Sequence, residues 1–149
     1  MAEPKTRPTG ASVTDFLAAI PDPERRKDSR AVVSLLRRVT GARPAMWGGG
    51  IVGFGKVRLK YASGRELDWP LAGFAPRADR LTLYVTCDLS RYRDLLDRLG
   101  KHSRGKGCLH LRRLADADPG VLEELARRGV AEAKAMDVST AVRKPSPGG

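Results

Sequence analysis

The chain reads as a single α+β domain, an antiparallel sheet with helices packed on one of its faces. Three observations carry this. Apolar residues recur at helical spacing near both ends of the chain, and they alternate with period two in its middle. The gaps between the alternating segments are turn-sized, which suits antiparallel neighbours rather than crossovers. Helices that flank such a run of strands pack on it as a layer. At 149 residues the chain is long enough for one domain with one core. That domain is expected over residues 12–136. Residues 1–11 and 137–149 are rich in Pro, Gly and small polar residues and lack periodicity, so they read as disordered tails.

The elements follow in order. Thr14 reads as an N-cap, with Asp15 in the first turn and Phe16, Leu17 and Ile20 behind it, a short helix stopped by Pro21 and Pro23. Asp22 caps a second helix with Pro23 at its first position and Glu24 in its first turn. Val32, Leu35, Leu36 and Val39 form its apolar stripe, Gly41 stops it, and Arg25, Arg26, Arg37 and Arg38 are expected off that stripe. The aromatic segment from Met46 to Gly55 is dense in glycine and reads as a loop. Val57, Leu59 and Tyr61 then alternate with Lys56, Arg58 and Lys60 as a strand, and Ser63-Gly64 supplies a turn. A second strand is expected from Trp69 to Phe74, with Pro70 marking an edge or a start. Leu81, Leu83 and Val85 alternate with Thr82, Tyr84 and Thr86 in a third. Tyr92, Leu95, Leu96 and Leu99 return to helical spacing between Ser90 and Gly100. Residues 108–111 form a short strand, and a last helix starts at Pro119 with Val121, Leu122, Leu125 and Ala126 on its buried side.

Composition narrows the class. A hydrophobic fraction of 41% and a charged fraction of 30% suit a globular chain. No apolar run approaches the roughly 20 residues of a membrane helix, and Met1-Ala2-Glu3-Pro4-Lys5 has no apolar stretch behind it, so a cytoplasmic location is expected. Two cysteines, Cys87 and Cys108, do not make a disulfide framework. The net charge of +11 invites nucleic-acid binding through phosphate neutralisation, although the Lys and Arg are dispersed as on a solvated surface.

Several constellations bear on function. The turn Gly100-Lys101-His102-Ser103-Arg104-Gly105-Lys106-Gly107 gathers cations among small residues and suits an anion, or is an ordinary basic turn. Cys108 and His110 share a strand face and offer half a metal site, with Cys87 as a third ligand, or are a surface pair. Trp47, Phe54, Tyr61, Trp69, Phe74 and Tyr84 all fall in the sheet region, as core or as a binding surface. With helices on the Leu83 face, Thr82, Tyr84, Thr86, Cys108, His110 and Arg112 line the opposite one. Catalytic patterns are scarce: Gly-x-Ser-x-Gly is absent, and of the paired carboxylates only Glu66 and Asp68, on one strand face near Trp69, stand apart from helix capping or an exposed helix flank, and a surface hairpin explains them equally well. The leading reading is a non-catalytic binding domain. Trp47, Trp69, Tyr84, Lys101, His102, Arg104 and Lys106 are its candidate site, and a small anionic ligand or an acidic protein is its partner. The residues themselves imply no cofactor.

The order of several motifs resembles the YdhG-like domain family, small bacterial domains of mostly unassigned function. These motifs are the Val13–Pro21 helix and a longer helix after it, Met46-Trp47-Gly48, Ala72-Gly73-Phe74, the strand Leu81-Thr82-Leu83-Tyr84, and the turn Gly105-Lys106-Gly107 entering a strand. The resemblance spans about residues 12–136 and implies one small cytoplasmic domain. Some members are described as frataxin-like iron chaperones, which implies iron as cargo. That role calls for exposed carboxylates clustered on one surface, since iron as a hard ion prefers oxygen ligands. The candidates are Asp15, Asp22, Glu24 and Asp28, or Glu66, Asp68 and Asp79.

Overall fold

The structure, a computed structural model, describes residues 11–48, 50–60, 63–86 and 88–137. Most of both expected tails, with Tyr61 and Cys87, lies outside them. Helices α1 (Val13–Ala18) and α2 (Pro23–Thr40) come first. The strands β1 (Pro44–Trp47), β2 (Ile51–Phe54), β3 (Val57–Lys60), β4 (Glu66–Trp69), β5 (Ala72–Pro76) and β6 (Leu81–Tyr84) follow. A 3-10 turn leads into α3 (Arg93–Leu99), and β7 (Ser103–Arg104), β8 (Leu109–Leu111) and α4 (Pro119–Met136) complete the domain.

Local chemistry sets most boundaries. Ser12, not Thr14, caps α1, its hydroxyl accepting from the Asp15 N–H at 3.1 Å. Asp22 and Asp118 cap α2 and α4 in the same way, each with Pro at the first helical position, and α2 ends at Gly41 in the left-handed conformation. Asp88 rather than Ser90 starts the third helical segment, accepting from the Ser90 N–H. Arg25 is a correction. Its spacing from Asp28, Ser29, Val32 and Leu36 places it on the buried stripe of α2, and its Nη1 donates to the Arg112 carbonyl at 2.8 Å.

Six strands form one sheet in the order β1-β2-β5-β6-β8-β7, all neighbours antiparallel, and β3 and β4 pair as a separate ribbon between β2 and β5. The expected second strand is therefore two strands in two sheets. Pro70 cannot donate to a ladder, and the chain leaves the ribbon there and enters the main sheet at Ala72. The glycine-dense segment is a hairpin rather than a loop, with Met46 opposite Val52 and Trp47 opposite Ile51.

Val52, Phe54, Phe74, Leu81, Leu83, Val85, Leu109 and Leu111 point to the inner face and are essentially solvent-free. Helix α2 lies across β2 and β5, and α4 packs on α2, α3 and β5, so the helices close this face as expected. Helix α4 approaches β6 so closely at Gly129 that a Cβ there would overlap the Val85 carbonyl oxygen. Among the described residues no helix is long and apolar enough to cross a membrane.

Candidate functional site

The outer face of the sheet is covered only in part. At its β1–β2 end Trp47 lies flat over Gly53, where a Cβ would meet the indole and lie 2.9 Å from Pro70 Cβ. Trp47 is thus only 2% exposed and belongs to the packing of the sheet, not to a site. The β3–β4 ribbon leans over the next part. Its register puts Val57 opposite Trp69 and Leu59 opposite Leu67 on one side, and Arg58 opposite Asp68 and Lys60 opposite Glu66 on the other.

Between the ribbon and the outer face runs a groove of about 450 Å³. Val57, Leu59, Trp69, Pro70 and Leu71 form one wall. Tyr84, Thr86 and Cys108 come from the main sheet, Lys106 and Gly107 from the turn before β8, and Ala133 and Met136 from the last turns of α4. Tyr84 stands across from Gly73, which has no side chain to crowd it. Two ties fix the walls. The Arg58 N–H donates to Asp137 Oδ1 at 3.1 Å, anchoring the ribbon at the end of α4, and the Leu89 N–H donates to the Lys106 carbonyl at 2.7 Å, anchoring the basic turn. Lys60 and Lys106 supply the charge, and among the described residues no carboxylate or imidazole lines the groove. Met136, 44% exposed, gives one wall a flexible apolar side chain.

Trp69, Tyr84 and Lys106 therefore line one groove, while the other candidates fall elsewhere. Lys101 and His102 line a second cleft, on the far side of the Thr82–His110 pair. Arg104 is exposed on β7 and lines neither concavity. Cys108 and His110 also part, Cys108 facing the groove and His110 the cleft. His110 Nδ1 lies 3.0 Å from Thr82 Oγ1, and burial followed by the charge of Arg80 holds its pKa below the ordinary 6.5.

Several of the carboxylates are held by arginines. Glu66 and Asp68 share Arg58, at 3.0 and 2.8 Å. Asp28 takes Arg113 Nε at 2.7 Å and the Leu114 N–H at 3.1 Å, and Glu24 takes the same guanidinium at 2.5 Å. Burial alone raises the Asp28 pKa, but these hydrogen bonds and the nearby Arg113 and Arg25 charges outweigh it, so the pKa lies below 3.8. Glu123 pairs with Arg38 and Arg127, and Glu124 with Arg128. Among the described residues no group of three or more His, Cys, Asp or Glu is placed to hold a metal ion. Cys87, the third ligand of the metal reading, lies outside them.

Of the groove residues, Lys60, Pro70 and Leu71 were read in the sequence only as strand positions, and Ala133 and Met136 were missed altogether. Neither of the last two carries a signal there, since both sit at the end of an ordinary amphipathic helix. Val57 and Leu59 were legible as a strand face but not as a wall. No protein-family model, curated protein or solved structure matches the chain.

Proposed function

We propose that the chain is a binding domain whose ligand is a small molecule with an apolar or aromatic body and one acidic group. The body lies in the groove against Trp69, Tyr84, Val57 and Leu59, and the acidic group reaches Lys106 or Lys60 at the rim. One observation carries the reading: a mostly apolar groove on which two aromatic rings and a basic turn converge from three separate parts of the chain. The volume suits a ligand of small-metabolite size, since such pockets run from about 300 to 1,000 Å³. With no acid or imidazole among the described lining residues, binding is better supported than acid–base catalysis.

Membership of the YdhG-like family is part of the same proposal, and its Gly105-Lys106-Gly107 motif supplies Lys106 and Gly107 to the groove wall. Iron delivery is less well supported, because Glu24, Asp28, Glu66 and Asp68 are held by Arg113 and Arg58 rather than left to face a cation. Nucleic-acid binding rests on the +11 charge alone.

A thermal-shift series of aromatic and medium-chain carboxylates, each against its neutral amide, tests the reading. A ligand at a hundredfold excess over its Kd stabilises the native state by about 2.7 kcal/mol. The acids are expected to raise Tm, the amides to raise it less, and Tyr84→Ala and Lys106→Ala to lose the shift. No shift with any member, or equal shifts in wild type and Tyr84→Ala, contradicts it.

A further inference from the structure

The second concavity has a different chemistry. At the end of the β6–β8 ladder away from Tyr84 and Cys108 lies a cleft of about 380 Å³. Arg80, Lys101, His102, Ser103, His110 and Arg112 line it, together with Asp79 and Asp116. The groups arrive from three directions: the turn before β6, the connection from α3 into β7, and the end of β8.

This cationic group differs from the arginines that are held in close ion pairs. Arg58, Arg113, Arg38, Arg127 and Arg128 each hold at least one carboxylate at 3.0 Å or closer. Among the described residues, Lys101 and Arg112 have no side-chain carboxylate partner, and Arg80 reaches only Asp79, at 4.0 Å with that carboxylate 80% exposed. The acids do not neutralise the cleft either. Asp116 turns an oxygen to the Arg113 N–H at 3.3 Å. Both Arg80 and Asp79 act on His110, the Arg80 charge more strongly. His102 Nδ1 lies 2.8 Å from the Gly100 carbonyl and donates to it, which leaves Nε2 for a ligand.

We propose that this cleft binds the terminal phosphoryl group of a small phosphate monoester, at a site separate from the groove. Two guanidinium forks, an ammonium group and the Ser103 hydroxyl surround one small volume. Together they offer more donors than the two coplanar oxygens of a carboxylate can accept, and they suit the three terminal oxygens of a tetrahedral dianion. The concave shape favours a terminal group. Backbone phosphates of a nucleic acid lie along an extended chain and are met by cations spread over a surface rather than gathered in one cleft.

The test is a titration of isotope-labelled protein with inorganic phosphate at constant ionic strength, with chloride as the control and the His102 and His110 imidazoles as reporters. Saturable shifts with phosphate are expected. Affinity should fall at least about tenfold in Arg80→Gln/Arg112→Gln, the loss of charge-assisted hydrogen bonds, and stay unchanged in Tyr84→Ala. Both arginines are exposed, so the double variant should keep the wild-type Tm; should it not, Lys101→Gln carries the same expectation. Phenyl phosphate should compete with phosphate, and a single-stranded oligonucleotide should not. Shifts that chloride reproduces, affinity indifferent to the arginines and to Lys101, or displacement of phosphate by the oligonucleotide overturns the proposal. Because Tyr84→Ala disables only the groove, failure here and failure of the groove reading are separable.

Discussion

The two faces of strand β6 differ by one residue in register and completely in surroundings. Leu81, Leu83 and Val85 point inward and have at most 1% exposure beneath α2 and α4. Thr82, Tyr84 and Thr86 point outward, where the ribbon covers only part of the sheet: Tyr84 and Thr86 line the groove, while Thr82 is buried at 4% exposure against His110. The short segment from Leu81 to Thr86 thus packs the core with one set of side chains and leaves Tyr84 and Thr86 of the other set at the groove. The helices close one face because their apolar stripes need burial. The ribbon is narrower than the sheet, so the other face stays partly open.

This comparison is broken most sharply by substitutions at adjacent positions. Leu83→Ala leaves a cavity in a closed face and is expected to cost about 4 kcal/mol, within the range for buried leucines, read by chemical denaturation. Gly129→Ala places a methyl group against the Val85 carbonyl, a backbone atom that no side-chain rotation can move. A loss of about 2–3 kcal/mol is expected even after the better helix propensity of Ala. The displaced α4 should also carry Ala133 and Met136 away and weaken groove ligands. Asp28→Asn breaks the link between α2 and the segment after β8, for about 2 kcal/mol from hydrogen bonds to a charged group. The sign of the pH effect follows from the lowered pKa of Asp28. The ionised form is favoured in the native state, so its contribution is present above pH 3.8 and lost as the pH falls through the lower folded value. The variant should therefore show a flatter acid limb in a pH series of unfolding curves. Tyr84→Ala, one residue from Leu83, should cost less, about 1–2 kcal/mol, because its ring is only partly buried, while removing ligand binding.

How much of this the sequence showed depends on whether a residue's neighbours are local. The alternation of Leu81 to Thr86 was enough to assign both faces of β6, and Asp22-Pro23 and Pro119 marked two helix starts correctly. The β1–β2 hairpin was hidden because Gly53 breaks the alternation. That glycine is there for the Trp47 indole, a contact no local pattern reveals. Arg25 was legible in principle, since its spacing sets it on the apolar stripe, but its charge argued for the surface until the Arg112 carbonyl was seen to receive it. Trp69, Tyr84 and Lys106 could be named as candidates from residue type. Their meeting depends on the ribbon folding back over the sheet at Pro70, which is a tertiary event. The separation of Lys101 and His102 from Lys106 has the same origin, because β7 lies between them and sends the two ends of the basic turn to different concavities.

The two tryptophans offer the most direct test that the outer face binds a ligand in the groove. Trp47 is buried in the sheet and Trp69 lines the groove, so only one of them should sense an occupant. Tryptophan emission is followed while an aromatic carboxylate that raises Tm is titrated into wild type and Trp69→Phe. The account predicts a saturable change in wild type and a flat response in Trp69→Phe, where Trp47 alone reports. An equal response in the two proteins, or none in wild type at concentrations that raise Tm, would place the ligand elsewhere and contradict it.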